Sequence, residues 1–219
     1  MVRGKHMARL LESTTLEGPA GPLEALHEAP DEGTPIVRAA VICHPHPLYG
    51  GTMHNKVVFR LARAARRCGA AVLRFNFRGV GLSAGQHDHG AGEQDDLRAA
   101  LEYMAARYPQ LPLLAGGFSF GARVASQVFC GNLSIERLVA AGAPVAKGDW
   151  SFLERCSGPK FFLHSTNDEH GPRAAMQDVF GRAADPKQLT WIDSHDHFFT
   201  DALDRLEEAA CAAIQASVE

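Results

Sequence analysis

Apolar residues along this chain fall into two recurring patterns, short runs of strand length and longer stretches with a helical stripe. Ile36–Cys43 (IVRAAVIC), Ala71–Phe77 (AVLRFNF) and Leu111–Gly117 (LPLLAGG) are near-continuous apolar runs, as strands buried on both faces require. His54–Cys68 instead places Val57, Val58, Leu61, Ala62 and Ala65 on one helical face and stops at Gly69. Glu93–Tyr108 repeats that stripe with Leu97, Leu101, Met104 and Ala105, and Ala122–Cys130 predicts the helix after the third strand. Leu138–Ala141, Phe161–His164 and Leu189–Ile192 predict three more strands, with helices around Arg173–Ala184 and Asp201–Val218 after the last two. Ahead of the series, Leu10–Leu16 and Leu23–His27 flank the GPAGP stretch at residues 18–22 and predict an antiparallel hairpin.

Strands alternating with helices predict an α/β domain whose mostly parallel sheet is covered on both faces. Residues 10–219 read as one such domain, with residues 1–9 as an expression remnant or a frayed start. Ala143–Pro159 is a short excursion, too small for a large lid domain.

Composition narrows the function classes. The 219 residues are 46% hydrophobic and 21% charged, ordinary for a folded domain and wrong for a disordered chain. A formal charge of -3 is too balanced for a nucleic-acid or anionic-membrane surface, and no apolar run approaches bilayer length. Cys43, Cys68, Cys130, Cys156 and Cys211 are scattered without a C-x-x-C pair, which predicts buried free thiols in a reducing cytoplasm.

Chemistry first shows at Gly117-Phe118-Ser119-Phe120-Gly121, a G-x-S-x-G pattern set between an apolar strand and a helix. A serine on such a sharp turn is held in a strained backbone with its hydroxyl exposed, and side chains two residues away on either side would collide there. The helix that starts beside it brings N–H groups to the place where an oxyanion develops.

Serine at its free pKa needs a base, and the base needs an orienting acid. In the fold that carries this turn, the order along the chain is nucleophile, acid, histidine. His197 and His195 both lie in the loop after the last strand; His197 is preferred because it directly precedes Phe198-Phe199 and the final helix, leaving His195 as a solvated loop residue. Asp168, in the turn TNDEH after FFLHS, is the preferred acid, with Glu169 and then Asp193 as alternatives. One oxyanion donor is expected at the amide of Phe120. For the other, Pro45 and Pro47 have no N–H, which leaves His46, with Leu48 next. Leu48, Tyr49, Phe118 and Phe198 are candidate walls of the substrate pocket, with Phe120, Trp150, Phe152 and Phe199 open between wall and core.

The segments HPHPLYGGTMHNKVV, FNFRGVGLSAGQHDHGAGEQDDLRAA, GFSFG and SHDHFF together resemble the small, lidless bacterial α/β-hydrolases related to dienelactone hydrolases. That resemblance runs from about Leu16 to the last helix. It implies a sheet of eight strands, a Ser119–Asp168–His197 triad, action on small esters or related acyl compounds, and no metal or organic cofactor. Dienelactone hydrolases themselves use a cysteine nucleophile, so their substrate does not carry over to Ser119. Arg78, in the RGVGLS stretch that belongs to the same pattern, reads mainly as a tie between loops.

The expected enzyme is therefore a serine hydrolase of carboxylesterase type, a cytoplasmic monomer or homodimer acting on a small acyl substrate without nucleic acid, membrane or metal. Thioester, lactone and amide cleavage would use the same acyl-enzyme. Two rivals remain. Eleven histidines, with H-x-H pairs at 44/46, 87/89 and 195/197, admit a zinc hydrolase, although no H-E-x-x-H cluster is present and His87 and His89 read as solvated. A binding module that kept the fold and lost the chemistry is the other.

Overall fold

A computed structural model describes residues 11–30, 33–132 and 134–217. The expected start at residues 1–9, Leu10 and Val218 lie outside the described residues. The predicted hairpin forms as β1 (Leu11–Gly18) and β2 (Gly21–Glu28), with Gly18 paired to Gly21 across the turn. Then come β3 (Arg38–Cys43), α1 (Lys56–Arg67), β4 (Ala70–Phe75), α2 (Ala91–Arg107), β5 (Leu113–Phe118), α3 (Phe120–Cys130) and β6 (Ile135–Ala141). The chain closes with β7 (Lys160–Ser165), α4 (Arg173–Arg182), β8 (Lys187–Ile192) and α5 (Leu203–Gln215). Between β6 and β7 lies only a five-residue 3-10 segment, Ser151–Arg155.

All eight strands form one sheet in the order β1-β2-β4-β3-β5-β6-β7-β8. The two hairpin strands pair antiparallel and the rest run parallel. The chain steps from β3 to β4 on one side and then to β5 on the other, which makes the carboxyl ends of β3 and β5 a topological switch point. Cys43 is level with Gly117 and Phe118 with Ala141, so the loops after β3, β5 and β6 leave the sheet at one edge.

Strand alternation sorts the core into two layers. Ala39, Val41 and Cys43 face α2, α3 and α4, whereas Ala40 and Ile42 face α1 and α5. α1 begins where Asn55 accepts hydrogen bonds from the Val57 and Val58 amides, and buries Val57, Val58 and Leu61. Each of those side chains contributes about 1.5–3 kcal/mol of apolar burial.

The cysteine expectation needs correction. Cys130 at the end of α3 and Cys156 after the 3-10 segment form a disulfide, their Cα atoms 4.9 Å apart, leaving Cys43, Cys68 and Cys211 as free thiols. The pairing arises because the 151–155 segment packs back on α3, which spacing along the chain does not reveal. Among the described residues no helix is long and apolar enough to cross a membrane.

Candidate active site

Ser119 sits between β5 and α3 with φ 55° and ψ -119°, outside the favoured regions for a residue with a side chain. Two glycines permit the bend. A Cβ on Gly117 would come within 2.5 Å of the Gly121 backbone, and one on Gly121 within 2.4 Å of the His44 carbonyl oxygen. The Ser119 amide donates to the Ala141 carbonyl at 3.0 Å, pinning the turn to the end of β6.

A continuous line of hydrogen bonds runs inward from the Ser119 hydroxyl. Ser119 Oγ lies 2.9 Å from His197 Nε2, and His197 Nδ1 lies 2.7 Å from Asp168 Oδ2. Because an ionised carboxylate only accepts, Nδ1 carries the proton, and the bare Nε2 accepts from the serine hydroxyl. The other oxygen of Asp168 accepts from the amides of His170 and Gly171 at 2.8 and 2.9 Å. Burial opposes the charge on Asp168, yet the hydrogen bond from His197, the nearby imidazoles and the His170 amide together hold its carboxyl below the usual range.

His197 is fixed from several sides. Phe118 packs against its ring at 4.8 Å between centroids, His170 meets it edge-on at 4.6 Å, and its amide donates to Glu169 at 3.2 Å. Gly142, at φ 52°, lies so close that a Cβ would stand 3.1 Å from His197 Cε1. The side chain of His197 is 1% exposed and that of His195 78%. That separates the two loop histidines. Of the alternative acids, Glu169 holds the His197 amide, and Asp193 bonds Thr166.

His164 stands behind Asp168, its Nε2 donating to the Gly171 carbonyl at 2.7 Å and 3.6 Å from Asp168. Burial pushes its pKa down despite that carboxylate, so it is a neutral prop for the 168–171 turn. His44 is equally committed. It donates to the Pro45 carbonyl at 2.6 Å and accepts from the Phe77 amide at 3.0 Å. The amide of Leu48 is taken up by His46 Nδ1 at 3.3 Å. Thus, of the two alternatives for a second donor, the His46 amide is the one left unengaged among the described residues.

A cleft of about 340 Å³ opens on Ser119. Tyr49, Phe120 and the His46 ring line it, as do His87, His89, Arg123, Gln127, Lys147 and His170. Three expected wall residues are elsewhere. Phe118 alternates to the α1/α5 face of β5 and is fully buried beneath His197. Leu48 turns to solvent at 66% exposure, its backbone bound up in the turn over Pro47–Tyr49. Phe198 packs edge-on to His197 outside the cleft and is 43% exposed. Trp150 and Phe199 belong to the core.

His87 is not solvated as expected, its side chain being 7% exposed, whereas His89 is exposed; both form a rim of the cleft. Glu93 organises that rim by accepting from the Asp88 and Gly90 amides at 2.9 and 2.7 Å, with His87 Nδ1 2.7 Å away. Arg78 makes a forked contact with Asp96 of α2, Nη2 to Oδ1 at 2.7 Å, and takes no part in the cleft. Among the described residues no group of three or more His, Cys, Asp or Glu side chains is arranged to hold a metal ion.

An eight-stranded, mostly parallel sheet with a strained serine at its switch point defines the α/β-hydrolase class. Residues 40–217 match the family described as an alpha/beta hydrolase domain. The chain belongs to that family, in its small lidless branch. It is similar to an uncharacterized protein of Rickettsia prowazekii, 38% identical over 83% of this chain and 79% of the relative. A lidless α/β serine hydrolase from Xanthomonas campestris superposes with a TM-score of 0.87 at 36% identity, covering 94% of this chain and 96% of the other. An α/β serine hydrolase homologue from Coxiella burnetii gives 0.87 at 34%, covering 94% and 97%.

Proposed function

We propose that this chain is a serine hydrolase that cleaves small carboxylic esters through an acyl-enzyme. The observation that carries the reading is the hydrogen-bonded line from Ser119, at the head of α3, through His197 to Asp168. Ser119 Oγ attacks the acyl carbonyl while His197 Nε2 takes its proton. Asp168 holds the ring in the tautomer that leaves Nε2 bare and stabilises the imidazolium once formed. The amides of Phe120 and His46 receive the negative oxygen of the tetrahedral intermediate. His197 then returns the proton to the departing alcohol. A water, deprotonated by the same nitrogen, attacks the acyl-enzyme and frees the acid. No step requires a metal ion or an organic cofactor.

The small cleft suits short acyl groups better than long lipid chains. The test is turnover of p-nitrophenyl acetate, paired with mass spectrometry after fluorophosphonate treatment. Ser119→Ala should lower the rate by a factor on the order of 10⁴ or more with the fold intact, and abolish labelling of the 119 peptide. Unchanged turnover in that variant would overturn the reading.

A further inference from the structure

One side of the cleft is a stripe of α3, in which Arg123 and Gln127 follow Ser119, the residue before the helix, at helical spacing. Arg123 lies four residues past Ser119, about 6 Å along the helix axis. Its guanidinium is bracketed by the loop at 147–150. Nη1 donates to the Lys147 carbonyl at 3.0 Å, and the group lies 5.2 Å from the centre of the Trp150 ring. Trp150 itself donates to the same carbonyl at 3.2 Å. Gly148, at φ 73°, packs so tightly that a Cβ there would come within 2.6 Å of Nη1.

This arginine lacks what the other partly or fully buried ones on the sheet and its helices have. Arg74, Arg78 and Arg137 each meet a carboxylate at ion-pair distance, whereas among the described residues no carboxylate does so for Arg123. Asp149 acts on it only through space, both its oxygens being engaged by Ser151. A partly desolvated, rigidly held cation without a counter-ion is costly unless a ligand supplies the counter-charge. Lys147 and four histidines share the cleft wall, and among the described residues no aspartate or glutamate lines it, in a chain whose formal charge is -3.

We infer that the ester this site hydrolyses carries a carboxylate, bound by the free edge of the Arg123 guanidinium one helical turn from the reacting carbonyl. The inference rests on the serine-hydrolase reading and names its substrate class. A guanidinium presents parallel N–H groups that match the two oxygens of a carboxylate. The spacing along α3 calls for about two to four methylenes between the carboxylate and the scissile ester.

The experiment compares kcat/KM for monomethyl glutarate with that for methyl valerate, an uncharged ester of the same chain length, by titrating released acid at constant pH. Ser119→Ala serves as the blank. The charged ester should be preferred by about 10–100-fold, the range of a charge-assisted bidentate contact. The preference should shrink in high salt, fall towards unity in Arg123→Gln and survive in part in Arg123→Lys. Should Arg123→Gln fail to fold, the salt series on the unaltered protein decides. Ser119-dependent turnover with equal or better use of methyl valerate overturns the carboxylate inference alone. Absence of Ser119-dependent turnover of either ester, with no fluorophosphonate labelling, overturns the hydrolase reading and this inference with it.

Discussion

Two histidines separated by one residue meet opposite fates at the end of the sheet. His195 Nε2 lies 3.6 Å from the exposed Asp201, while His197 is enclosed by Phe118, Phe198 and His170. Replacing His197 by alanine should therefore cost turnover on the scale of the serine variant, whereas His195→Ala should stay within about twofold. Asp168→Asn tests the orienting role separately. An amide donor at position 168 favours the tautomer with a proton on Nε2, so ester turnover should drop by a factor on the order of 10⁴ in a variant that is still folded at the assay temperature. Equal rates for wild type and Asp168→Asn would remove the carboxylate from the mechanism. Ser119, Asp168 and His197 were legible because a motif and a chain order announce them. Arg123 and Gly142 were not. Arg123 looks like any helix-surface arginine until the 147–150 loop closes over it, and Gly142 is demanded by its positive φ and by the rings of Phe118 and His197, which lie far from it along the sequence.

Element positions were readable to within a few residues because strands buried on both faces and amphipathic helices write different apolar periods. The boundaries that moved did so for local reasons. α2 starts at Ala91 instead of Glu93, because the Glu93 carboxylate reaches back to cap the Gly90 and Asp88 amides. α3 starts at Phe120, directly after the nucleophile, since Gly121 can abut the β3 backbone. Backbone contact of this kind makes the junction of β3, β5 and α3 intolerant of a single methyl group. Gly121→Ala should lower stability by roughly 1–3 kcal/mol and depress turnover as well, because the Phe120 amide would move with the helix end. Gly181 provides the contrast within α4: it is exposed, and a Cβ there meets nothing within 4 Å. Gly181→Ala should raise stability by about 0.5–1 kcal/mol. Thermal unfolding of the two variants measures both; a similar melting temperature for Gly121→Ala and wild type would contradict the close-contact account.

At the scale of the molecule, buried histidines tie stability to pH. Burial pulls His44 down to about 4 from an ordinary value of 6.5, against the raising effects of its bond to Pro45 and the field of Glu93. His27, His46 and His164 are also lowered, in each case mainly by burial. Unfolded chains bind a proton at each of these sites near pH 6.5, and the folded chain does not until lower pH. Their contribution is therefore complete above 6.5 and is lost as pH falls, on the order of 3 kcal/mol for His44 alone by pH 4. Carboxylates act in a second, more acidic window. Burial raises the cost of charging Glu93 and Asp168, but Glu93 is held below its ordinary value by backbone amides and Asp168 chiefly by His197. What they contribute persists down to the normal carboxylate range and disappears beneath it. The melting temperature should accordingly fall between pH 6.5 and 4, before carboxylates protonate, and then fall again. His44→Gln, which keeps a donor and an acceptor near Pro45 and Phe77, should start less stable at neutral pH yet show a shallower first slope. The loss should reach the active site too, since the His44 carbonyl abuts Gly121 at the serine turn. A wild-type melting temperature flat from pH 6.5 to 4, or an equal slope in the variant, would mean that His44 is not a buried neutral strut.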